Sequence, residues 1–175
     1  MNVKKLVFKG RAWLIKDEEG RLIDDIDTDQ IYHNSHLAVT ELAEMGQYAF
    51  GNLKGYEHFA KEVRAGDMVV AGKNFGAGSS RQQAVDCFIS LGISCVLAES
   101  FGAIYKRNAI NTGFPVLVYR NLDLEKVNHL DVIEVDLKSK EIRKDGKKIG
   151  EIPFISKVQM DIYLAGNIFE YGKRM

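Results

Sequence analysis

The run Gly72-Lys73-Asn74-Phe75-Gly76-Ala77-Gly78-Ser79-Ser80-Arg81 constrains the fold more than any other part of this chain. It follows a short apolar segment, Met68 to Ala71, and leads into a helical pattern that extends to about Leu91. Three glycines in seven residues permit backbone conformations closed to other residues, and close approach by a ligand. Further on come an apolar segment at Ser94 to Ala98, a helix over Phe101 to Asn111 stopped by Gly113 and Pro115, and an apolar segment at Pro115 to Tyr119. The order strand, helix, strand, helix, strand predicts parallel pairing in an α/β layer.

The flanking regions read differently. Leu6 to Ile15 alternates loosely, as a strand does, and Asp17-Glu18-Glu19-Gly20 reads as a tight turn. Ile23 to Asp29 is dense in acids, His33 to Thr40 is a polar loop, and Glu41 to Phe50 and Tyr56 to Val63 read as short amphipathic helices. After Tyr119 the pattern is β-rich: Val132 to Leu137 is one strand, and Asp145-Gly146 is the hairpin turn between Glu141–Lys144 and Lys147–Ile149. A last helix over Ser156 to Ala165 is capped by Ser156 and ended by Gly166-Asn167. No repeat and no linker divides the 175 residues, so the expectation is one domain over 1–175: an α/β domain with a short parallel sheet flanked by helices and additional β structure.

The glycine run also carries the chemistry. Two serines are expected where the following helix begins, and free backbone N–H groups with the positive end of the helix dipole favour an anion there. Arg81 adds a permanent charge whose fork fits a carboxylate. Ser79, Ser80 and Arg81 are therefore the candidate oxyanion or carboxylate site. A plainer alternative is a glycine-rich turn whose serine caps a helix, and the residues alone leave both open. A phosphate loop is excluded, because Gly78-Ser79-Ser80 lacks the lysine of that motif. The dinucleotide pattern fails too, since Arg81 stands where its third glycine belongs.

Composition removes other classes. Lys plus Arg is 24 and Asp plus Glu is 24, so the chain lacks the positive footprint of a nucleic-acid binder. Zero net charge leaves association with partner subunits, or of the isolated chain with itself, unopposed by repulsion. The longest apolar stretch, Phe88 to Ala98, is broken by Ser90, Gly92 and Ser94, and Met1 to Lys5 has no apolar signal core, so neither a membrane span nor export is expected. Cys87 and Cys95 read as buried free thiols of a reducing cytoplasm, too few for an iron–sulfur cluster. The His33/His36 pair lacks a third metal ligand and reads as polar loop histidines. Trp13, Phe8, Phe88 and Phe114 are expected in the core.

Three ordered motifs carry a family resemblance. Gly72 to Arg81 resembles the signature of the aconitase swivel domain. Upstream, Asp25-Ile26-Asp27-Thr28-Asp29-Gln30-Ile31 is similar to the family's Asp-x-Asp-Thr-Asp-x-Ile. Downstream, Ser100-Phe101-Gly102-Ala103-Ile104-Tyr105-Lys106-Arg107-Asn108 resembles its Ser-Phe-Ala-x-Ile-Phe-x-Arg-Asn run, and Asn111-x-Gly113-x-Pro115 continues it. At this length the chain looks like the separate small subunit of isopropylmalate isomerase and homoaconitase, with a β/β/α swivel-type fold.

The resemblance implies a hydro-lyase that is active only with a large subunit, as a heterodimer or heterotetramer. That subunit is expected to hold a 4Fe–4S cluster whose iron binds the substrate hydroxyl and carboxylate; this chain is expected to bind no cofactor or metal. Carried over by position, Ser79 is the base that takes a proton from carbon, Arg81 grips a carboxylate, and Ser80 assists. Thr28 and Asp29 orient the site, and Asn74, Gly76 and Gly78 support its loop. Family members select substrate in the loop that here reads His36-Leu37-Ala38-Val39-Thr40, which makes Ala38, Val39 and Thr40 substrate-binding candidates. No arginine lies there to pair with a third carboxylate, which implies an apolar or small γ-substituent: 3-isopropylmalate, hence leucine biosynthesis, or a methylated malate. His36 and Ala38 depart from the family pattern, as do Gln82-Gln83 where Glu-His is usual. A dimethylmalate-type dehydratase, a homoaconitase and a carboxylate-binding regulatory module are the alternatives.

Overall fold

Strand β1 (Val7–Leu14) belongs to two sheets at once, and the fold is organised around it. In the computed structural model, which describes residues 3–175, its first five residues pair antiparallel with β5 (Val132–Asp136), from Val7↔Asp136 to Arg11↔Val132. Its last three pair parallel with β2 (Met68–Val70), from Ala12↔Met68 to Leu14↔Val70. Gly10 makes the changeover feasible: a Cβ there would stand 2.0 Å from the carbonyl oxygen of Gly66.

Parallel pairing continues through β3 (Cys95–Ala98) to β4 (Val116–Val118), and antiparallel pairing runs from β5 to β6 (Glu141–Lys144) and β7 (Lys147–Glu151). The strand order is β4-β3-β2-β1-β5-β6-β7. The two ends of that order meet in a bridge between Arg120 and Glu151, with reciprocal N–H···O bonds of 2.8 and 3.0 Å, so the sheet curls back on itself. The expected hairpin is present. Asp145 and Gly146 have φ of 51° and 76°, the left-handed pair that a two-residue turn of matching twist requires.

Strand alternation sorts the core into two clusters. Trp13, Ile15, Val69, Ala71, Val96 and Val116 face the helices, whereas Ala12, Leu14, Met68, Val70, Leu97 and Leu117 face Ile133, Val135, Ile142 and Ile149 of the curled antiparallel strands. The helices on the first side are α1 (Thr28–Ile31), α2 (Leu42–Met45), α3 (Phe59–Glu62), α4 (Gln83–Ser90) and α5 (Ala103–Asn111). Edge-to-face contacts link Phe50, Phe59, Phe75 and Phe88 there. On the strand side, α6 (Lys157–Ala165) contributes Tyr163, and the short α7 (Ile168–Gly172) follows. The layers are thus β, β and α, as the swivel-type reading expects. Phe8, Trp13, Phe88 and Phe114 are all buried.

Two local expectations change. The helix after the glycine run starts at Gln83, with Gln82 at its cap, so neither serine caps it. Gly76 and Gly78 carry the chain through positive φ (79° and 99°), and residues 79–81 lie outside the helix, with Ser79 and Ser80 exposed, before a helical turn closes. The two amphipathic stretches after Thr40 form only single turns of α-helix, Leu42–Met45 and Phe59–Glu62. In the acidic segment Asp27 caps α1, its carboxylate accepting from the Gln30 N–H at 2.8 Å while the Gln30 side chain accepts from the Asp27 N–H at 3.0 Å. Among the described residues no helix is long and apolar enough to cross a membrane.

Candidate active site

The carboxyl ends of the parallel strands gather the three motifs. Beyond the regular strands, single parallel bridges join Asp27 to Ala77 and Phe75 to Phe101, so the acidic segment, the glycine loop and the segment after β3 lie side by side in that order. The glycine loop is held from both flanks. The Lys73 N–H donates to Asp24 Oδ1 at 2.6 Å, the Asn74 N–H to Ser100 Oγ at 2.8 Å, and Asn74 Nδ2 to Asp25 Oδ1 at 2.8 Å. The Gly76 N–H donates to the Ile26 carbonyl at 2.7 Å. Gly76 is buried at φ 79°, and a Cβ would stand 2.2 Å from the Tyr105 ring, so no other residue fits there without displacing that ring.

The bend delivers Ser79 and Ser80 to the surface, both exposed. Ser79 Oγ lies 3.2 Å from Oγ1 of Thr28, a buried hydroxyl only 2% exposed. Ser80 Oγ is 3.5 Å from Asn108 Nδ2 on α5. Arg81 turns inward; its side chain is 12% exposed. Nη1 donates to Asp29 Oδ1 at 2.9 Å and to the Tyr32 carbonyl at 2.7 Å. Asp29 Oδ1 also accepts from the Asn34 N–H at 3.0 Å, and Oδ2 from Asn52 Nδ2 at 3.2 Å. The Arg81 hydrogen bond, against opposing desolvation and helped by the Asn34 N–H, holds the Asp29 carboxyl below the usual range.

The candidates named from sequence therefore divide into groups. Ser79, Ser80, Arg81, Thr28 and Asp29 converge, with Gly78 at the bend. Asn74 and Gly76 brace the loop from behind through Asp25 and Tyr105. In the 36–40 segment, Ala38 and Thr40 are exposed while Val39 packs on the helix-side core. That segment reaches the serine loop through Gln83, whose Nε2 donates to the Leu37 carbonyl at 3.4 Å. Gln82 instead donates to Asp86 at 2.9 Å. His33 accepts from the Ser35 N–H, and His36 stacks on Tyr48 at 3.8 Å between ring centres. Asn52 and Tyr32 escaped the sequence reading because neither belongs to a motif or a periodic pattern. Asn108 stood inside a quoted motif and could have been named.

A family model for the aconitase C-terminal domain matches residues 23–121, the span that contains all of these side chains. The chain belongs to the aconitase C-terminal domain family. Members of the family that it resembles are small subunits. The isopropylmalate/citramalate isomerase small subunit of Methanocaldococcus jannaschii is 37% identical, covering 96% of this chain and 95% of that one. The 3-isopropylmalate dehydratase small subunit of Lachnospira eligens is also 37% identical, with the same coverage. The methanogen homoaconitase small subunit of Methanocaldococcus jannaschii is 36% identical, covering 92% of each chain. Within the family the fold likeness is equally extensive: the crystal structure of 3-isopropylmalate dehydratase from Methanocaldococcus jannaschii superposes with a TM-score of 0.82 at 34% identity, covering 96% of this chain and 94% of that one.

Proposed function

We propose that this chain is the small subunit of a heteromeric aconitase-type hydro-lyase that dehydrates and rehydrates a branched malate, with 3-isopropylmalate the favoured substrate. The observation that carries the proposal is the exposed Ser79 hydroxyl, hydrogen-bonded to a buried threonine and flanked by an arginine that, among the described residues, engages one terminal nitrogen.

Ser79 takes the proton from carbon. A serine hydroxyl is a very weak acid, so its alkoxide needs donors and positive charge close by. Thr28 offers an O–H at 3.2 Å, and Arg81 offers charge. The start of α4 adds the positive end of a helix dipole, three residues further on than the sequence reading placed it. Arg81 grips a substrate carboxylate, and Ser80, steadied by Asn108, hydrogen-bonds beside it. The loop is an open surface that cannot exclude water by itself, which favours a site completed by a second chain.

That chain is the iron–sulfur large subunit, whose cluster supplies Lewis-acid chemistry at the substrate hydroxyl when bound. The cysteines of this chain do not fit such a group. Cys87 is buried in the helix-side cluster and Cys95 in the strand-side cluster, on opposite faces of the sheet, and desolvation pushes both thiols far above their usual range. Both are free, in keeping with a reducing cytoplasmic setting. The selecting segment Leu37-Ala38-Val39 is apolar and carries no cation, which favours an alkyl arm over a third carboxylate.

Reconstitution with an iron–sulfur large subunit tests the reading. Ser79→Ala should abolish turnover of 3-isopropylmalate while the complex still assembles, as judged by sedimentation. Turnover that survives counts against the role of Ser79, and loss of assembly in Arg81→Ala favours a structural role for the loop. Dimethylmalate, citraconate and homoaconitate as parallel substrates decide among the related activities.

A further inference from the structure

Asp29 uses its two carboxylate oxygens for different partners. Oδ1 takes Arg81 Nη1 and the Asn34 N–H; Oδ2 takes Asn52 Nδ2, which also lies 3.3 Å from the Asp29 carbonyl. Arginine and carboxylate ordinarily prefer two parallel bonds, fork to fork. Here the pair is joined by one nitrogen. Nη1 spends its two hydrogens on Asp29 and on the Tyr32 carbonyl, and among the described residues neither Nη2 nor Nε has a protein acceptor. Asn52 is well anchored for its part. Phe50, buried at φ 57°, donates its N–H to the Ile31 carbonyl at 2.8 Å and ties the Asn52 segment to α1, the helix that carries Asp29.

We infer that Asn52 is a positioning residue: by occupying Asp29 Oδ2 it keeps the Asp29–Arg81 pair single-bonded and leaves the outer guanidinium edge free for a substrate carboxylate. The inference rests on the proposed reading of Arg81 as a carboxylate anchor. Without the amide, Oδ2 swings toward Nη2 or Nε, the ion pair becomes bidentate, and the edge is consumed within the protein. Substrate binding weakens while the proton-transferring Ser79 stays in place. The titratable and charged groups facing the pair are Arg81 from the glycine loop, His33 (Nε2 3.9 Å from Asp29 Oδ2) and His36 from the turn after α1, and Tyr48 stacked on His36.

The test uses the reconstituted complex with 3-isopropylmalate. Asn52→Ala should raise KM about tenfold with kcat within about twofold of the unmodified complex, the mark of lost binding that is uniform through the reaction. Asn52→Asp sets a second carboxylate against Asp29, and one shared proton restores a donor to Oδ2. Its KM, divided by that of the unmodified complex at the same pH, should therefore fall toward one as pH drops from 8 to 6. Dividing in this way removes the pH effects that both complexes share. A residue that merely stabilises the loop would lower kcat and the melting temperature together and leave that ratio flat. Should Asn52→Ala not assemble, Asn52→Asp alone decides. An unchanged KM in Asn52→Ala, or a flat ratio in Asn52→Asp, overturns the inference. Arg81→Lys separates the two levels: if it raises KM and the Asn52 variants do not, only Asn52 is misassigned, and if it leaves KM unchanged, the anchor itself is wrong and the inference falls with it.

Discussion

Thr28 and Ser79, 51 residues apart in the chain, meet hydroxyl to hydroxyl at 3.2 Å. Thr28 is 2% exposed, and Ser79 Oγ is its side-chain partner among the described residues. A threonine hydroxyl has one hydrogen to give. Facing a neutral serine it can donate or accept, but facing an alkoxide it can only donate. The contact therefore strengthens as the proton leaves Ser79, where a bond to a charged group is worth about 1.5–3 kcal/mol. Thr28→Val, nearly the same shape, should lower kcat of the reconstituted enzyme about 10- to 100-fold with little change in KM. Thr28→Ser should stay near the unmodified rate. Thermal melts should show both variants folded, since valine suits a buried site. An unaltered kcat in Thr28→Val would remove Thr28 from the mechanism.

How far the sequence could reach is clear from particular residues. Short-range rules worked where the signal was local: the Asp145-Gly146 hairpin, the Ser156 cap, whose Oγ accepts from the Gln159 N–H at 3.0 Å, and the alternation of β1. The parallel layer was legible because βαβ order leaves few arrangements. The changeover within β1 was not, because pairing with β2 on one half and β5 on the other depends on partners more than fifty residues away. The start of α4 was misplaced for a related reason. Serines before a helix ordinarily read as caps, but here Ser79 is drawn to Thr28 and Arg81 to Asp29, and these long-range bonds hold residues 79–81 outside the helix. Asn52 carried no signal at all, since its role is defined only by where Asp29 lies.

Asp67 gives the fold a dependence on acid. Its side chain is 4% exposed and accepts from Arg11 Nε at 3.0 Å and Nη2 at 2.6 Å, from the Trp13 indole at 2.9 Å and from the Arg64 N–H at 2.9 Å. Desolvation alone would raise its pKa. The Arg11 hydrogen bond, the Arg64 and Trp13 donors and the Arg11 charge outweigh that and hold it below the usual carboxylate value. A depressed folded-state pKa adds stability that is fully present above the unfolded value of about 3.9 and disappears as pH falls through the folded value. Asp67→Asn strands Arg11 and should cost about 3 kcal/mol at pH 7 by urea unfolding, as loss of one partner of a buried pair does. The gap from the unmodified chain should narrow below about pH 4, where the unfolded carboxylate takes up a proton that the native one still resists. A gap that stays constant down to pH 3 would show that Asp67 acts through packing and not charge.

Substrate choice should move with a single charge at Ala38. The residue is exposed on the segment that Gln83 ties to the start of α4, with Leu37 and Val39 as apolar neighbours. An alkyl arm lying there meets no unpaired charge, whereas an arm ending in a carboxylate finds no cation and loses its hydration. Ala38→Arg reverses both terms. It supplies a fork that fits a carboxylate, and it places a hydrated guanidinium where an isopropyl group would otherwise bury apolar surface. Each effect is worth about 1–3 kcal/mol. The ratio of kcat/KM for homoaconitate to that for 3-isopropylmalate should accordingly rise by at least about tenfold in the reconstituted Ala38→Arg enzyme. Ala38→Leu, which adds bulk without charge, should depress both substrates and leave the ratio nearly unchanged. If arginine and leucine shift the ratio alike, crowding and not charge selects the arm, and the 36–40 segment would not be the place where this enzyme distinguishes an alkyl group from a carboxylate.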